Sequence, residues 1–314
     1  MKRTRKLLAI AASAALSFAH PVFADWAPDG TLKLLVAFGA GGSTDTVARV
    51  VGQAIETQTG WNVIVENKPG GGGVAMFSGI ARMKPDGNVI GVGVNIPIWM
   101  NLHQRGDKLG FDLDSFDYLA TISRPEMAMI ARADAPYDTL DEFIAWSKEN
   151  GPVAVSFDAG PLRLLMRSAT KTTGVKFNMV SAESGAEQIK LILGGQVAAG
   201  FGSGGHLAML EAGEIKLLAS VSDRGLSYAP EVKSFAASGI TAYPDAYYYI
   251  ATAAGTPEDT KTALAEAIDA ALSDPSVQEA VYNALKSGTE NLGPAGTEKM
   301  LDDGFVDFQA LFAE

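Results

Sequence analysis

From Thr31 onward, apolar runs of strand length alternate with longer stretches whose apolar positions recur at helical spacing. Leu32–Phe38 predicts a buried strand, and Gly39–Gly42 a turn. Ser43–Gln58 then predicts a helix with Val47, Val50, Val51, Ala54 and Ile55 on one face. Trp61–Glu66 predicts a second strand, Pro69–Gly73 a glycine loop, Val74–Met83 a helix and Val89–Val94 a third strand. The order β-α-β-α-β implies parallel strands with helices on both faces.

The middle of the chain repeats the pattern. Strands are expected at Met127–Ala131, Val153–Phe157, Phe177–Val180, Val197–Phe201 and Ile215–Val221, with helices from Thr139, from Leu162 and near Gly185. Tyr247–Ala253 predicts a further strand, and the residues from Thr256 three successive helices. Thr139 and Glu142 have capping-box spacing, while Thr256-Pro257 and Asp274-Pro275 each place a capping side chain before proline. No repeat, low-complexity tract or Pro/Ser linker separates the halves. The expected architecture is therefore α/β and two-lobed, each lobe a mostly parallel sheet flanked by helices. Short crossovers are expected near Tyr118–Pro125 and Tyr243–Ile250, giving lobe I over 25–124 plus 245–314 and lobe II over 125–244. A ligand would sit between the lobes, at the carboxyl ends of the parallel strands.

The first residues carry the pattern of an export leader, so a location outside the cytoplasm is expected. Lys2, Arg3, Arg5 and Lys6 precede an apolar run, Leu7–Phe18, of signal-peptide length, and Val22-Phe23-Ala24 offers a cleavage site. A signal peptide over 1–24 and a mature chain from Asp25 are expected. No later run reaches the length of a membrane span. The full sequence has 25 Lys+Arg against 36 Asp+Glu, a net charge of −11; losing the four leader cations leaves 21 against 36, or −15. Such acidity argues against nucleic acid and anionic lipid as partners. The absence of cysteine excludes disulfides, thiolate metal sites, a cysteine nucleophile and a lipoprotein anchor. A freely diffusing monomer in the periplasm of a double-membraned bacterium fits these features.

The most informative stretch is Val36-Ala37-Phe38-Gly39-Ala40-Gly41-Gly42-Ser43-Thr44-Asp45, where a strand runs through a glycine turn straight into a helix. Free amides and the dipole at such a helix start favour an anion. A P-loop would need Lys before its Ser/Thr, and a dinucleotide fingerprint would need Gly where Thr44 stands. The plainer alternative is that Ser43 merely caps the helix while Asp45 complements its dipole.

Phe38-Gly-Ala-Gly-Gly-Ser-Thr-Asp-Thr-Val-Ala-Arg49 closely resembles the first loop of the periplasmic receptors of tripartite tricarboxylate transporters. Val65-Glu-Asn-Lys-Pro-Gly-Gly-Gly-Gly73 and Lys84-Pro-Asp-Gly87 resemble the next two signatures. Leu193-Gly-Gly-Gln-Val197 and Gly213-Glu-Ile-Lys-Leu-Leu-Ala-Ser-Val-Ser-Asp-Arg224 follow in the expected order. The resemblance implies a type II binding-protein fold that closes on a small organic acid and delivers it to separate membrane subunits. It also implies that loop amides, hydroxyls and water hold the carboxylate, without a dedicated arginine, cofactor or metal. Matched to the motif, Gly41, Gly42, Ser43 and Thr44 are ligand contacts, Phe38 an apolar wall, and Asp45 an orienting group for loop or water. Asn95, at the end of the third strand, and Ser203 join them as candidates. Trp99, which follows the same strand end, is expected to line the cleft with Asn95.

The second-lobe loop should be Ser156-Phe157-Asp158-Ala159-Gly160-Pro161, with Asp158 at a typical Gly position. In Val180-Ser181-Ala182-Glu183-Ser184, Ala182 and Glu183 replace the family's aromatic and basic residues. Either this side of the cleft suits a bulkier, less anionic or amine-bearing ligand, or the changes are neutral and Asp158 faces solvent or Arg163. Enzyme readings find little support: after the leader only His103 and His206 occur, and no serine lies in G-x-S-x-G. A sensor for a two-component system and an exported hydrolase on the same scaffold remain the competing functions.

Overall fold

The computed structural model describes residues 26–157, 160–182, 185–240 and 245–313. The expected leader, 1–24, therefore lies outside the described residues, as do Asp158, Ala159, Glu183 and Ser184.

The first lobe is built on a five-stranded sheet. Strands β1 (Thr31–Val36), β2 (Asn62–Asn67) and β3 (Val89–Val94) run parallel, β1 between the other two. Strands β4 (Phe116–Ser123) and β10 (Tyr248–Ala253) complete the order β2-β1-β3-β10-β4. The α/β class holds, but the sheet is mixed, because β10 returns from the second lobe and lies antiparallel to both neighbours.

Alternation along the strands feeds two apolar layers. Leu32, Leu34 and Val36 pack with α1 (Ser43–Thr59), α8 (Glu258–Ser273) and α9 (Pro275–Leu285), through Val51, Ile268 and Val281. Leu35 and Tyr249 instead join the layer of α2 (Val74–Ile80), α3 (Asn95–Arg105) and α10 (Gly293–Ala313). There Trp99 is buried against Phe308, and the Trp99 ring lies 2.4 Å from where a Cβ on Gly304 would stand. Each such buried large side chain contributes about 1.5–3 kcal/mol of apolar transfer free energy.

The second lobe centres on β5 (Met127–Arg132), antiparallel to both β8 (Gly200–Ser203) and β9 (Ile215–Ser220). Strands β6 (Val153–Phe157) and β7 (Phe177–Ser181) form a parallel pair, joined to the approach to β8 by a bridge between Val155 and Ala199. The helices are α4 (Leu140–Asn150), α5 (Gly160–Thr173), α6 (Gly185–Leu193) and the short α7 (Leu207–Glu211). Pro161, expected at the end of the second-lobe loop, falls in the first turn of α5, where a missing N–H costs no helical bond.

Two of the three expected caps form. Thr139 accepts from the Glu142 amide, and Asp274 accepts from the Ser276 amide at 2.8 Å with Pro275 opening α9. Thr256 does not cap α8: its hydroxyl donates back to the Ala253 carbonyl, while its amide is held by Asp117.

Connections between the two sheets meet around one buried arginine. Arg124 donates to Glu126 (3.2 Å), Asp245 (3.3 Å) and Glu290 (3.3 Å), while its carbonyl accepts from the Ser287 hydroxyl. Glu126 also receives the amide and hydroxyl of Ser227, from the segment that follows β9. From that same segment Arg224 reaches the Tyr247 hydroxyl and, at 3.0 Å, Glu290.

Candidate functional site

At the carboxyl end of β1 the chain turns through Gly39–Gly42 and starts α1, with Gly42 as the N-cap in extended conformation and no side-chain cap. Ser43 is thus the first helical residue, not the cap of the plainer alternative. Gly41 adopts φ +81°, a left-handed conformation open to glycine at little cost. Every residue from Gly39 to Ser43 is exposed, whereas Thr44 and Asp45 are buried. The amides of the opening turn of α1 have no intrahelical partners, and the Gly39–Ser43 loop that leads into them is exposed.

Asp45 holds this loop from beneath. Its carboxylate accepts from the Gly41 amide at 2.9 Å, from Asn67 at 2.8 Å, and from Arg49 through Nε at 3.1 Å and Nη2 at 2.9 Å. The Arg49 hydrogen bond, helped by the Gly41 amide and Asn67 against the cost of burial, lowers the Asp45 pKa to about 2. Asn67 also donates to the Phe38 carbonyl at 3.0 Å and accepts from Arg49, so the second signature braces the first. Arg49 is thereby committed to the scaffold, and the positive potential at the loop comes from backbone amides. Phe38 is half-buried against the core.

A further hydroxyl stands at the loop. The Tyr248 phenol oxygen, on the first residue of β10, lies 3.1 Å from Ser43 Oγ. The three consecutive tyrosines divide their tasks: Tyr247 turns to Arg224, Tyr248 to Ser43, and Tyr249 stacks on Phe77 at 5.5 Å in the core.

Three sequence candidates are placed away from solvent. Asn95 is fully buried; its amide donates to the Asp245 carbonyl and its oxygen accepts from the amides of Ile96 and Tyr247. It ties the end of β3 to the segment that leads into β10 instead of lining the cleft. Trp99 turns inward because α3 begins at Asn95 and directs it onto α10. Ser156 is also fully buried, with Oγ 3.3 Å from Gln188 Oε1, the same oxygen that accepts the Phe201 amide. Gly160 opens α5 and Ser203 ends β8, whereas Asp158 and Ala159 lie outside the described residues.

Near the end of β8, His206 is buried with Nε2 2.8 Å from the Tyr228 hydroxyl, and Nδ1 has no partner among the described residues. Burial lowers its pKa from 6.5 to about 4. The unfolded chain thus takes up the proton first as pH falls, so this stability is complete above about 6.5 and lost towards about 4. Denaturant midpoints should reveal a loss of about 2 kcal/mol between pH 7 and 5 from this group. His206→Gln should flatten that slope, and an unaltered slope would contradict the assignment.

The fold and the loop define a class: a two-lobed solute-binding protein of the periplasmic type. The chain belongs to the tripartite tricarboxylate transporter family receptors, whose model matches residues 47–292. Among relatives, the UPF0065 protein in the gbd 5' region of Cupriavidus necator is 27% identical over 278 residues, covering 86% of this chain and 84% of that protein. A ligand-free TctC solute-binding protein from Polaromonas shares the fold with TM-score 0.80 and 23% identity, covering 91% of this chain and 99% of that one. An R. palustris protein solved with adipate has TM-score 0.69 at 20% identity, over 92% and 98% of the two chains. MatC from Rhodopseudomonas palustris, solved with malate, has TM-score 0.66 at 20% identity, over 90% and 98%. Among the described residues, no helix is long and apolar enough to cross a membrane.

Proposed function

We propose that this protein is a non-catalytic receptor of the periplasm, exported by residues 1–24, that captures a small carboxylate between its lobes. The loaded form passes the acid to membrane subunits of a tripartite transporter. The observation that carries this reading is the exposed Gly39–Ser43 loop at the start of α1, tied by Asp45 and set beside the hydroxyls of Ser43 and Tyr248. Gly41, Gly42, Ser43 and Thr44 contact the ligand, with Phe38 as the apolar wall. Asp158, Ala159, Gly160 and Ser203 approach from the other lobe, with the lobes divided at 25–124 plus 245–314 and 125–244. The adipate and malate named for the two R. palustris proteins support the ligand class.

A micromolar complex needs about −8 kcal/mol. A few hydrogen bonds to a carboxylate, at about 1.5–3 kcal/mol each and opposed by desolvation, supply that without a second buried charge. Ser43→Ala removes one such donor and should weaken carboxylate binding about tenfold, read by calorimetric titration. Unchanged affinity in that variant would remove Ser43 from the site.

A further inference from the structure

The chain connections alone do not account for how Arg224 is placed. It closes the last of the sequence signatures, in the segment that follows β9 of the second lobe, and half of its side chain is exposed. Its partners belong to the other sheet. Glu290 lies beside β4, its amide donating to the Ile122 carbonyl, and Tyr247 adjoins β10, its amide held by Asn95. The Tyr247 hydroxyl itself donates to Glu290 at 3.3 Å, so cation, phenol and carboxylate form a closed triangle across the two lobes. The buried Arg124 already binds the opposite oxygen of Glu290 within the hinge. Arg224 is thus a second, outer cation on the same carboxylate, dispensable for neutralising it but placed to resist relative movement of the lobes.

We propose that the Arg224–Glu290–Tyr247 triangle is an interlobe latch that favours the open form of the receptor and thereby sets its ligand affinity. The direction follows from the loop: the triangle is made in a conformation where every residue from Gly39 to Ser43 is exposed. A lobe closed over that loop would cover it. Interactions made only in the open form oppose closure, and a ligand that binds the closed form must overcome them. Arg224 acts here as a positioning residue with no contact to the ligand. The affinity consequence rests on the carboxylate-receptor reading, whereas the effect on lobe position does not.

The test uses Arg224→Ala, with Tyr247→Phe as a second variant that keeps the buried ring and removes only the hydroxyl. Small-angle X-ray scattering of the ligand-free mature protein should give a smaller radius of gyration in both variants than in wild type. An unchanged or larger radius overturns the latch. Titration with adipate and malate should then show binding tighter by about two- to five-fold, the scale of one partly exposed ion pair. Weaker or unchanged binding of an acid that wild type binds also overturns it. A smaller radius with neither acid bound by any form would uphold the latch and count against the carboxylate reading.

Discussion

Arg124→Met should cost about 3–5 kcal/mol of folding free energy, the largest single-residue effect expected outside the apolar core. The guanidinium serves three carboxylates from three segments: Glu126, Asp245 and Glu290, whose side chains are 9%, 14% and 29% exposed. Removing the cation leaves like charges close together and largely out of water, and methionine offers them no donor. Lysine at the same position restores charge but not the fork, so Arg124→Lys should recover only part of the loss. Urea denaturation at neutral pH reads both variants. A loss below 1 kcal/mol for Arg124→Met would show that the carboxylates are solvated in the folded protein and that the junction of the two sheets does not depend on this residue.

Asp45→Ala is expected to weaken carboxylate binding by one to two orders of magnitude although the residue is buried beneath the loop. Its loss frees the Gly41 amide, leaves Asn67 with one partner fewer and releases Arg49, which then competes for nearby acceptors. The glycine turn would no longer be held in one geometry, so its ordering would be charged against binding. Asp45→Asn, nearly isosteric, should lower stability by about 2 kcal/mol at pH 7, since it removes the charge that Arg49 binds. The Asp45 pKa is lowered, so this contribution is present above about 3.8 and lost as pH falls through about 2. Wild type and Asp45→Asn should therefore converge in strong acid. If Asp45→Ala bound its acid as tightly as wild type, the clamp would have no bearing on the site.

Much of this arrangement is legible along the chain, because it depends on neighbours in sequence. Apolar runs marked the strands, and the 3.6-residue period marked α1 closely, since each reports one buried face. The strand-glycine-helix turn was visible for the same reason. What escaped was long-range. Asn67 holds Asp45 from 22 residues away, and Tyr248 reaches Ser43 across 205 residues, which no local pattern encodes. The reading of Tyr118–Pro125 as a crossover missed β4, because the strand's polar positions are paired inside the fold: Thr121 and Ser123 donate to the carbonyls of Glu290 and Gly288. Asn95 and Trp99 looked like cleft residues because a strand ended before them. Yet Pro97 falls within the first turn of α3, where proline is tolerated, and the helix carries both inward.

Binding of a carboxylate by backbone amides and hydroxyls at the start of α1 can be read by calorimetric titration of the ligand-free mature protein with mono-, di- and tricarboxylates and with neutral sugars, in wild type and Asp45→Ala. At least one carboxylate should bind and no sugar, with a ten- to hundredfold loss of affinity in the variant. Binding confined to neutral sugars, or a carboxylate held equally by both proteins, would contradict that expectation.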